Sequence, residues 1–407
     1  MKNKIIVIGG GAAGMMAAIV AASNGGDVTI LERNDRVGKK LLATGNGRCN
    51  YTNVHLNINN YHGKDYKFAE WALSSFDEKA TIDYFEKMGI TPAVEDNGKT
   101  YPLSFQSSSM LDVLRYEIED KQISLITDAY VVDIKKQKNF VLKLKDGRVF
   151  EADKVILATG GMAMPVSGSD GNGYSLAKSF GHTLIDIHPG IVQLNLEGNF
   201  FKQINGVKVI GVAKLYSKDK LILEDRGDIL FTNYGISGPP ILQISRTALE
   251  YLKDGKNIQL RIEIIHTKTK EELETYLYER FKNSPNKSIQ ESLIGLINKR
   301  LILPIIKELN LDKDKIVQDL NKEEVRKIAN ILTNWCFKIT GSQTWGQAQV
   351  TAGGISTKEI NNETMESKLI KGLYLVGELV DIDGDCGGYN LQWAWSSAYA
   401  AGINSVK

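Results

Sequence analysis

The segment Lys4–Ile5–Ile6–Val7–Ile8–Gly9–Gly10–Gly11–Ala12–Ala13–Gly14 restricts what this chain can fold into more than any other. Ile5–Ile8 has no polar face, which suits a strand buried on both sides, as in a parallel sheet. Gly9 and Gly11 then open a tight turn, and the small residues from Ala12 to Ala22 read as a helix able to lie close to that sheet. In a Gly-x-Gly-x-x-Gly turn so placed, Gly11 lets backbone approach a pyrophosphate and Gly14 lets helix and strand pack. The unpaired N–H groups and positive dipole end of the helix favour the phosphates. A second apolar run, Val28–Thr29–Ile30–Leu31, ends in Glu32, near the spacing of roughly 20 residues at which a carboxylate reaches adenosine ribose hydroxyls. Strand, turn, helix, strand and acid in register point to a dinucleotide site.

Lys2 and Lys4 before an apolar stretch, and Ala21–Ala22–Ser23 after it, resemble a secretory leader. The three glycines that break the apolar segment, and its continuation into a second strand, argue against that reading. With 407 residues, 43% hydrophobic and 24% charged, the chain can build two or three domains. A net charge of +2 supplies no general attraction to nucleic acid or to an anionic membrane surface, and no apolar stretch is long enough to span a bilayer. The expected partner is therefore a small molecule, not a nucleic acid or a membrane. Cys49, Cys336 and Cys386 have no disulfide-framework spacing and suit a reducing cytoplasm, and the five histidines are too scattered to suggest a metal site.

Beyond Glu32, the basic, glycine-rich stretch Arg33 to Asn50 reads as a loop beside the adenosine, where Lys39, Lys40 and Arg48 could neutralise phosphates. Helices are expected over Phe68–Met88 and Leu111–Asp120, strands over Ser124–Ile126 and Ala129–Ile134, and a hairpin over Phe140–Leu144 and Arg148–Phe150. Lys154–Leu157 is another buried strand, returning the chain to the first sheet and ending at Thr159–Gly160–Gly161. From Ile191 to Ile265 the alternation, as in Val207–Leu215, predicts an antiparallel sheet or small barrel. From Thr269 to Trp335 the chain reads as an inserted helical subdomain, with helix starts at Thr269…Glu272 and Ser288…Glu291. The composition then returns to glycine-rich elements: Thr351–Ala352–Gly353–Gly354, a short strand ending at Gly377–Glu378, and Gly384–Asp385–Cys386–Gly387–Gly388–Tyr389–Asn390 feeding a helix, Leu391–Gly402.

Two glycine-rich elements at opposite ends of the chain, joined by Val155–Gly161, resemble the FAD-binding fold of the glutathione-reductase type. Gly38–Leu41, Gly45–Asn50, Tyr101–Ser104, Gly168–Tyr174, Gly235–Pro239, Thr351–Gly354 and Gly384–Gln392 are similar to those of a bacterial family of NAD(P)/FAD-dependent oxidoreductases, also called aminoacetone-oxidase-like flavoproteins. One branch of that family is linked to reduction of unsaturated bile acids. The resemblance implies an α/β protein with a discontinuous FAD-binding Rossmann domain, residues 1–190 and 351–407. A β-barrel-like domain, 191–266 and 336–350, and a helical insert, 267–335, would complete it. It also implies that Gly9, Gly11, Ala13, Gly14, Glu32, Arg33, Lys40, Asn50, Val131, Gly377, Glu378, Asn390 and Leu391 lie near FAD. Ala12, Lys39, Arg48, Cys49, Thr159, Gly160, Gly387 and Gly388 extend that set. The Gly387–Asn390 loop would face the pyrimidine end of the flavin, where the helix that follows can stabilise negative charge.

Tyr389 is the candidate catalytic proton donor, with ring packing as its competing role. Trp335, Trp345, Trp393 and Trp395 read as packing residues, and His188, before Pro189, as a structural residue at a domain crossover. Three functions stay open: a reductase or dehydrogenase of a small organic substrate with NAD(P)H as a transient donor, an amine or aminoketone oxidase that makes hydrogen peroxide, and a non-catalytic FAD-binding protein. No second Gly-x-Gly-x-x-Gly unit marks a separate NAD(P)H site. A Cys-x-x-x-x-Cys dithiol is also missing, since Val54 stands where Cys49 would need its partner, so no redox disulfide is expected.

Overall fold

The computed structural model describes residues 3–95 and 97–407. The chain divides into two compact units, one running through Gly190 and resuming over Trp345–Lys407, the other Ile191–Thr344.

The first unit is built on a five-stranded sheet of β1 (Lys4–Ile8), β2 (Asp27–Leu31), β3 (Ser124–Ile126), β4 (Lys154–Leu157) and β5 (Leu373–Leu375). Their spatial order is β5-β4-β1-β2-β3, and every neighbouring pair is parallel. Ile8 pairs with both Leu31 and Leu157, which aligns the carboxyl ends of three strands along one edge. The apolar runs are explained by burial on both faces: Ile5, Ile6, Val7, Ile30, Val155, Ile156 and Leu157 are fully buried. Helix α1 (Ala12–Ser23) lies against this sheet and is itself packed against the last helix, α2 (Tyr389–Ser405). Small residues set that approach: a Cβ on Gly402 would stand 2.8 Å from Val20 Cβ and 2.9 Å from the Ala17 carbonyl. Contacts this close on both sides explain why α1 has no polar face, with Ala13 to Ala21 all buried.

The second unit contains a closed six-stranded barrel, ordered Leu194–Leu196, Gly235–Ser237, Lys220–Thr232, Lys208–Ser217, Ile258–Glu263 and Trp335–Ser342. Its core carries Phe201, Phe231, Trp335 and Phe337, with Trp335 and Phe337 ring centroids 4.9 Å apart. The reading of Ile191–Ile265 as β structure throughout needs a correction. A helix, Pro239–Lys253, interrupts it and buries Ile241, Ile244 and Ala248 at helical spacing. Pro239 and Pro240 occupy the first turn, where a missing N–H costs nothing, and Gly238 takes φ +109 to turn the chain into it. Helices Lys270–Lys282, Ile289–Ser292, Lys299–Glu308 and Lys322–Thr333 follow. Both expected helix starts form reciprocal capping boxes, Thr269 with Glu272 and Ser288 with Glu291, and Asn321 with Glu324 forms a third.

The Arg33–Asn50 stretch is more ordered than its composition suggests. Lys39–Ala43 is a helical turn after Gly38, whose N–H donates to the Gly10 carbonyl at 2.9 Å. Among the described residues, no helix is long and apolar enough to cross a membrane.

Candidate functional site: two helix starts at one sheet edge

At the first turn, glycines serve two distinct purposes. A Cβ on Gly14 would lie 1.8 Å from the Gly9 carbonyl oxygen, and one on Gly9, at φ +102, would lie 2.5 Å from the Ala158 carbonyl oxygen. The protein's own packing excludes side chains there. At Gly11 a Cβ would meet nothing within 4 Å, so packing does not demand a glycine; open space lies beside the first N–H groups of α1. Gly11 is the N-cap, no side chain caps the helix, and its first turn carries no acid. Ala12 and Ala13 begin the helix, with Ala13 buried beside Gly377. These uncapped N–H groups and the room in front of them fit a pyrophosphate.

Glu32 is 6% exposed. Its Oε2 accepts from Gly10 N at 2.7 Å, and its Oε1 accepts from both Asn34 N and Asn34 Nδ2 at 2.8 Å. The carboxylate thus braces the turn, with lone-pair capacity left for ribose hydroxyls. Arg33 pairs with Asp170 and lies 4.4 Å over the Tyr130 ring. Buried Val131 presents its carbonyl to Asn172 Nδ2 at 2.9 Å.

The ends of β4 and β5 complete the edge. Thr159 and Gly160 follow β4, with Gly160 at φ +71 and a would-be Cβ 2.9 Å from Ser169 Oγ. Gly377, at φ +66 after β5, donates to Ser397 Oγ and accepts from Trp393 Nε1, each at 3.0 Å. Glu378 pairs with Lys40 and accepts from Thr351 N at 2.7 Å; Thr351 Oγ1 in turn accepts from Met162 N and Ala163 N at 2.7 and 3.0 Å. Each of the three cations expected to meet phosphate is paired with a carboxylate: Lys39 with Asp35, Lys40 with Glu378, Arg48 with Glu95. Arg48 also stacks 4.4 Å from the Tyr101 ring centroid and donates to Tyr101 Oη at 3.2 Å.

The second helix start is α2. Its N-cap Gly388 has φ +103, carries no side-chain cap and is followed by no acid in the first turn. A Cβ there would lie 2.4 Å from the Thr52 carbonyl oxygen and 2.9 Å from Asn50 Oδ1. Asn53 Nδ2 donates to Gly387 O at 2.9 Å. Asn390 folds back on the loop, accepting from Gly384 N at 2.9 Å and donating to Gly384 O at 2.7 Å, and Leu391 is half-buried. Cys49 is fully buried at φ +59, and burial pushes its thiol up to about 12 despite a bond from Thr44. The Tyr389 ring packs edge-on to Tyr61 at 6.0 Å and is 8% exposed; burial, then Asp385, raises its pKa.

Two features escaped the sequence reading. Gln392, fully buried, accepts from Thr52 Oγ1 and donates to Phe76 O, Thr81 Oγ1 and Ser396 Oγ. The available signal was an amide beside the tryptophans Trp393 and Trp395 in a helix whose residues are mostly buried. His62 Nε2 lies 2.8 Å from Asp385 Oδ1, a pair joining segments too far apart in sequence for any motif to reveal.

A parallel sheet with strand ends and uncapped helix starts of this kind is a Rossmann-type dinucleotide-binding arrangement, and with the family and relatives that follow the protein is an FAD-dependent oxidoreductase. The HI0933-like Rossmann family matches residues 3–404, and the chain belongs to it. It is 38% identical over 376 residues to the 3-dehydro-bile acid delta(4,6)-reductase of Clostridium scindens, covering 92% of this chain and 91% of that protein. It is 31% identical over 377 residues to the ribosomal RNA dihydrouridine synthase of Escherichia coli, covering 92% and 91%. Among solved structures, 3-ketosteroid delta1-dehydrogenase from Sterolibacterium denitrificans aligns over 99% of both chains at a TM-score of 0.50 and 12% identity, a likeness of fold.

Proposed function

We propose that this enzyme reduces a carbon–carbon double bond conjugated to a carbonyl in a small polycyclic ketone, drawing electrons from NADH or NADPH in the cytoplasm. The observation that carries this reading is the 38% identity, along nearly the whole chain, to a reductase whose name specifies a 3-oxo steroid with double bonds at 4 and 6. When bound, FAD supplies the hydride chemistry. The residues around it hold and polarise. The α1 start with Gly11 would take the pyrophosphate and Glu32 the ribose. The α2 start, free of acids and with Gly388 at its N-cap position supplying no side-chain cap, would favour negative charge on the pyrimidine ring. Glu378, neutralised by Lys40, would hold the Gly377 turn against the cofactor without leaving an unpaired charge.

The 31% identity to a dihydrouridine synthase favours a second reading, reduction of uracil in RNA. Uracil also carries a double bond conjugated to a carbonyl, so both readings ask for the same chemistry. RNA binding draws mainly on phosphate neutralisation, and a net charge of +2 offers little of it, which favours the small ketone.

Anaerobic mixing with NADH and NADPH, followed by a 3-oxo-4,6-diene steroid or a uridine-containing RNA fragment, tests this directly. Bleaching of the flavin by a pyridine nucleotide and recovery of colour with the steroid are expected. Hydrogen peroxide as the main product in air with a simple amine would replace the reductase reading by the oxidase one. Inertness to every donor would leave a binding protein.

A further inference from the structure

Reduction of a conjugated double bond needs a proton as well as a hydride, and Tyr389 is badly placed to supply it. Its ring packs between Tyr61 and Gly387, its Cβ lies close to Gly384, and both burial and Asp385 weaken it as an acid. Resting on the reading above, we propose that His62 is the proton donor and that Asp385 is its positioning residue.

Asp385 sits on the loop that leads into α2, and His62 on a two-residue strand paired with the start of that loop. Tyr61–His62 pairs antiparallel with Asp383–Gly384, placing the imidazole opposite Asp383 and beside Asp385. Nε2 is engaged by Asp385 Oδ1 at 2.8 Å, so Nδ1 is the nitrogen left for exchange. Asp385 is held from both sides. Its Oδ2 accepts from Asn60 Nδ2 at 3.2 Å, its N–H donates to Asn60 O at 2.9 Å, and its carbonyl accepts from Asn390 Nδ2 at 3.3 Å. Asn390 belongs to the first turn of α2, so the dyad moves with the helix start assigned to the flavin. The strap is further pinned where Gly63, at φ +142, passes the Asp381 carbonyl so closely that a Cβ would lie 2.2 Å from it, and Lys64 N donates to Asp381 Oδ2 at 3.0 Å. Side chains of His62 and Asp385 are 29% and 20% exposed, buried enough to be oriented and open enough to exchange with water. His182, by contrast, is closed in by Ser367 and Glu359.

When bound and reduced, FAD would supply the hydride for the new C–H bond at the β-carbon, and the former π pair would move onto the α-carbon and carbonyl oxygen. The Nδ1–H bond of the His62 imidazolium breaks as the α-carbon C–H bond forms. Neutral imidazole then regains a proton from water, while Asp385 keeps its charge throughout.

His62→Asn and Asp385→Asn holoenzymes test this. Each is reduced anaerobically with dithionite and reoxidised either by a 3-oxo-4,6-diene steroid or by ferricyanide, which takes electrons without forming a C–H bond. The expected result is normal FAD content and visible spectrum, ferricyanide reoxidation at the wild-type rate, and steroid reoxidation slowed about a hundredfold or more in His62→Asn. Asp385→Asn should show a smaller loss. Wild-type steroid reoxidation in His62→Asn overturns the proposal alone. Equal slowing with ferricyanide, or loss of FAD, overturns it in favour of a structural role. Failure of the wild-type enzyme itself to react with the steroid overturns the proposed function and this inference with it.

Discussion

The two glycine turns proposed to meet the cofactor both end in a helix start without a side-chain cap, yet they are held by different means. At Gly9–Gly14 the constraint is mainly backbone against backbone, Gly14 on Gly9 and Gly9 on Ala158, with one buried carboxylate, Glu32, bracing Gly10. At Gly384–Asn390 the constraint comes from far along the chain, through Asn50, Thr52, Asn53, Tyr61 and His62. A turn closed mainly by backbone shows itself in its glycine spacing and can be read as a motif. A turn closed by distant side chains can be tuned, because each of those side chains is separately replaceable.

Substitutions can break or sharpen this contrast, the largest effect coming from Gly14→Ala. Its Cβ would overlap the Gly9 carbonyl oxygen, and a loss of about 3 kcal/mol or more is expected in urea unfolding of the cofactor-free protein. Glu32→Ala strips the acceptor from Gly10 and Asn34. It should cost about 1.5–3 kcal/mol, appearing both in the unfolding midpoint and as weaker FAD retention on dialysis, with FAD and not FMN released. Gly388→Ala combines φ +103 with a close approach to Thr52 O, and about 1–3 kcal/mol should be lost in the same unfolding measurement.

Cys49 gives a pH signature. Its folded-state pKa, near 12, is raised above the ordinary 9.0, so the folded state keeps a proton that the unfolded chain releases. Stability should therefore be unaffected below pH 9.0 and fall by about 1.4 kcal/mol per pH unit from there toward 12. Cys49→Ala should flatten that slope. The smallest effect on stability belongs to Gly11→Ala, within about 0.5 kcal/mol, while FAD affinity falls about tenfold. If Gly11→Ala unfolds the cofactor-free protein as readily as Gly14→Ala does, the distinction between packing glycines and ligand glycines collapses.

The parallel sheet, the first turn and the barrel were legible because each leaves a short-range pattern: an unbroken apolar run, a glycine spacing, an alternation. Capping boxes were legible for the same reason, since Thr269 and Glu272 are three residues apart. Helix Pro239–Lys253 was missed because β-type alternation flanks it on both sides. The carboxylate partners of Lys40 and Arg48, and the His62–Asp385 pair, bring together residues from distant stretches of chain, which no local periodicity encodes.

The position of β5 at one edge of the sheet bears on how the enzyme is made. Its partner β4 and the Gly9–Gly14 turn leave the ribosome long before Leu373–Leu375 and α2 do. Until then the exposed edge of β4 and the apolar side of α1 that α2 covers have no partner, and both are surfaces on which nascent chains stick together. The whole Ile191–Thr344 unit is translated during that wait and can fold on its own core. On the proposed placement of FAD, cofactor loading would wait for the last stage of synthesis. A chain released early would carry the Gly9–Gly14 turn without α2, and would be a target for proteolysis, not a partly active enzyme.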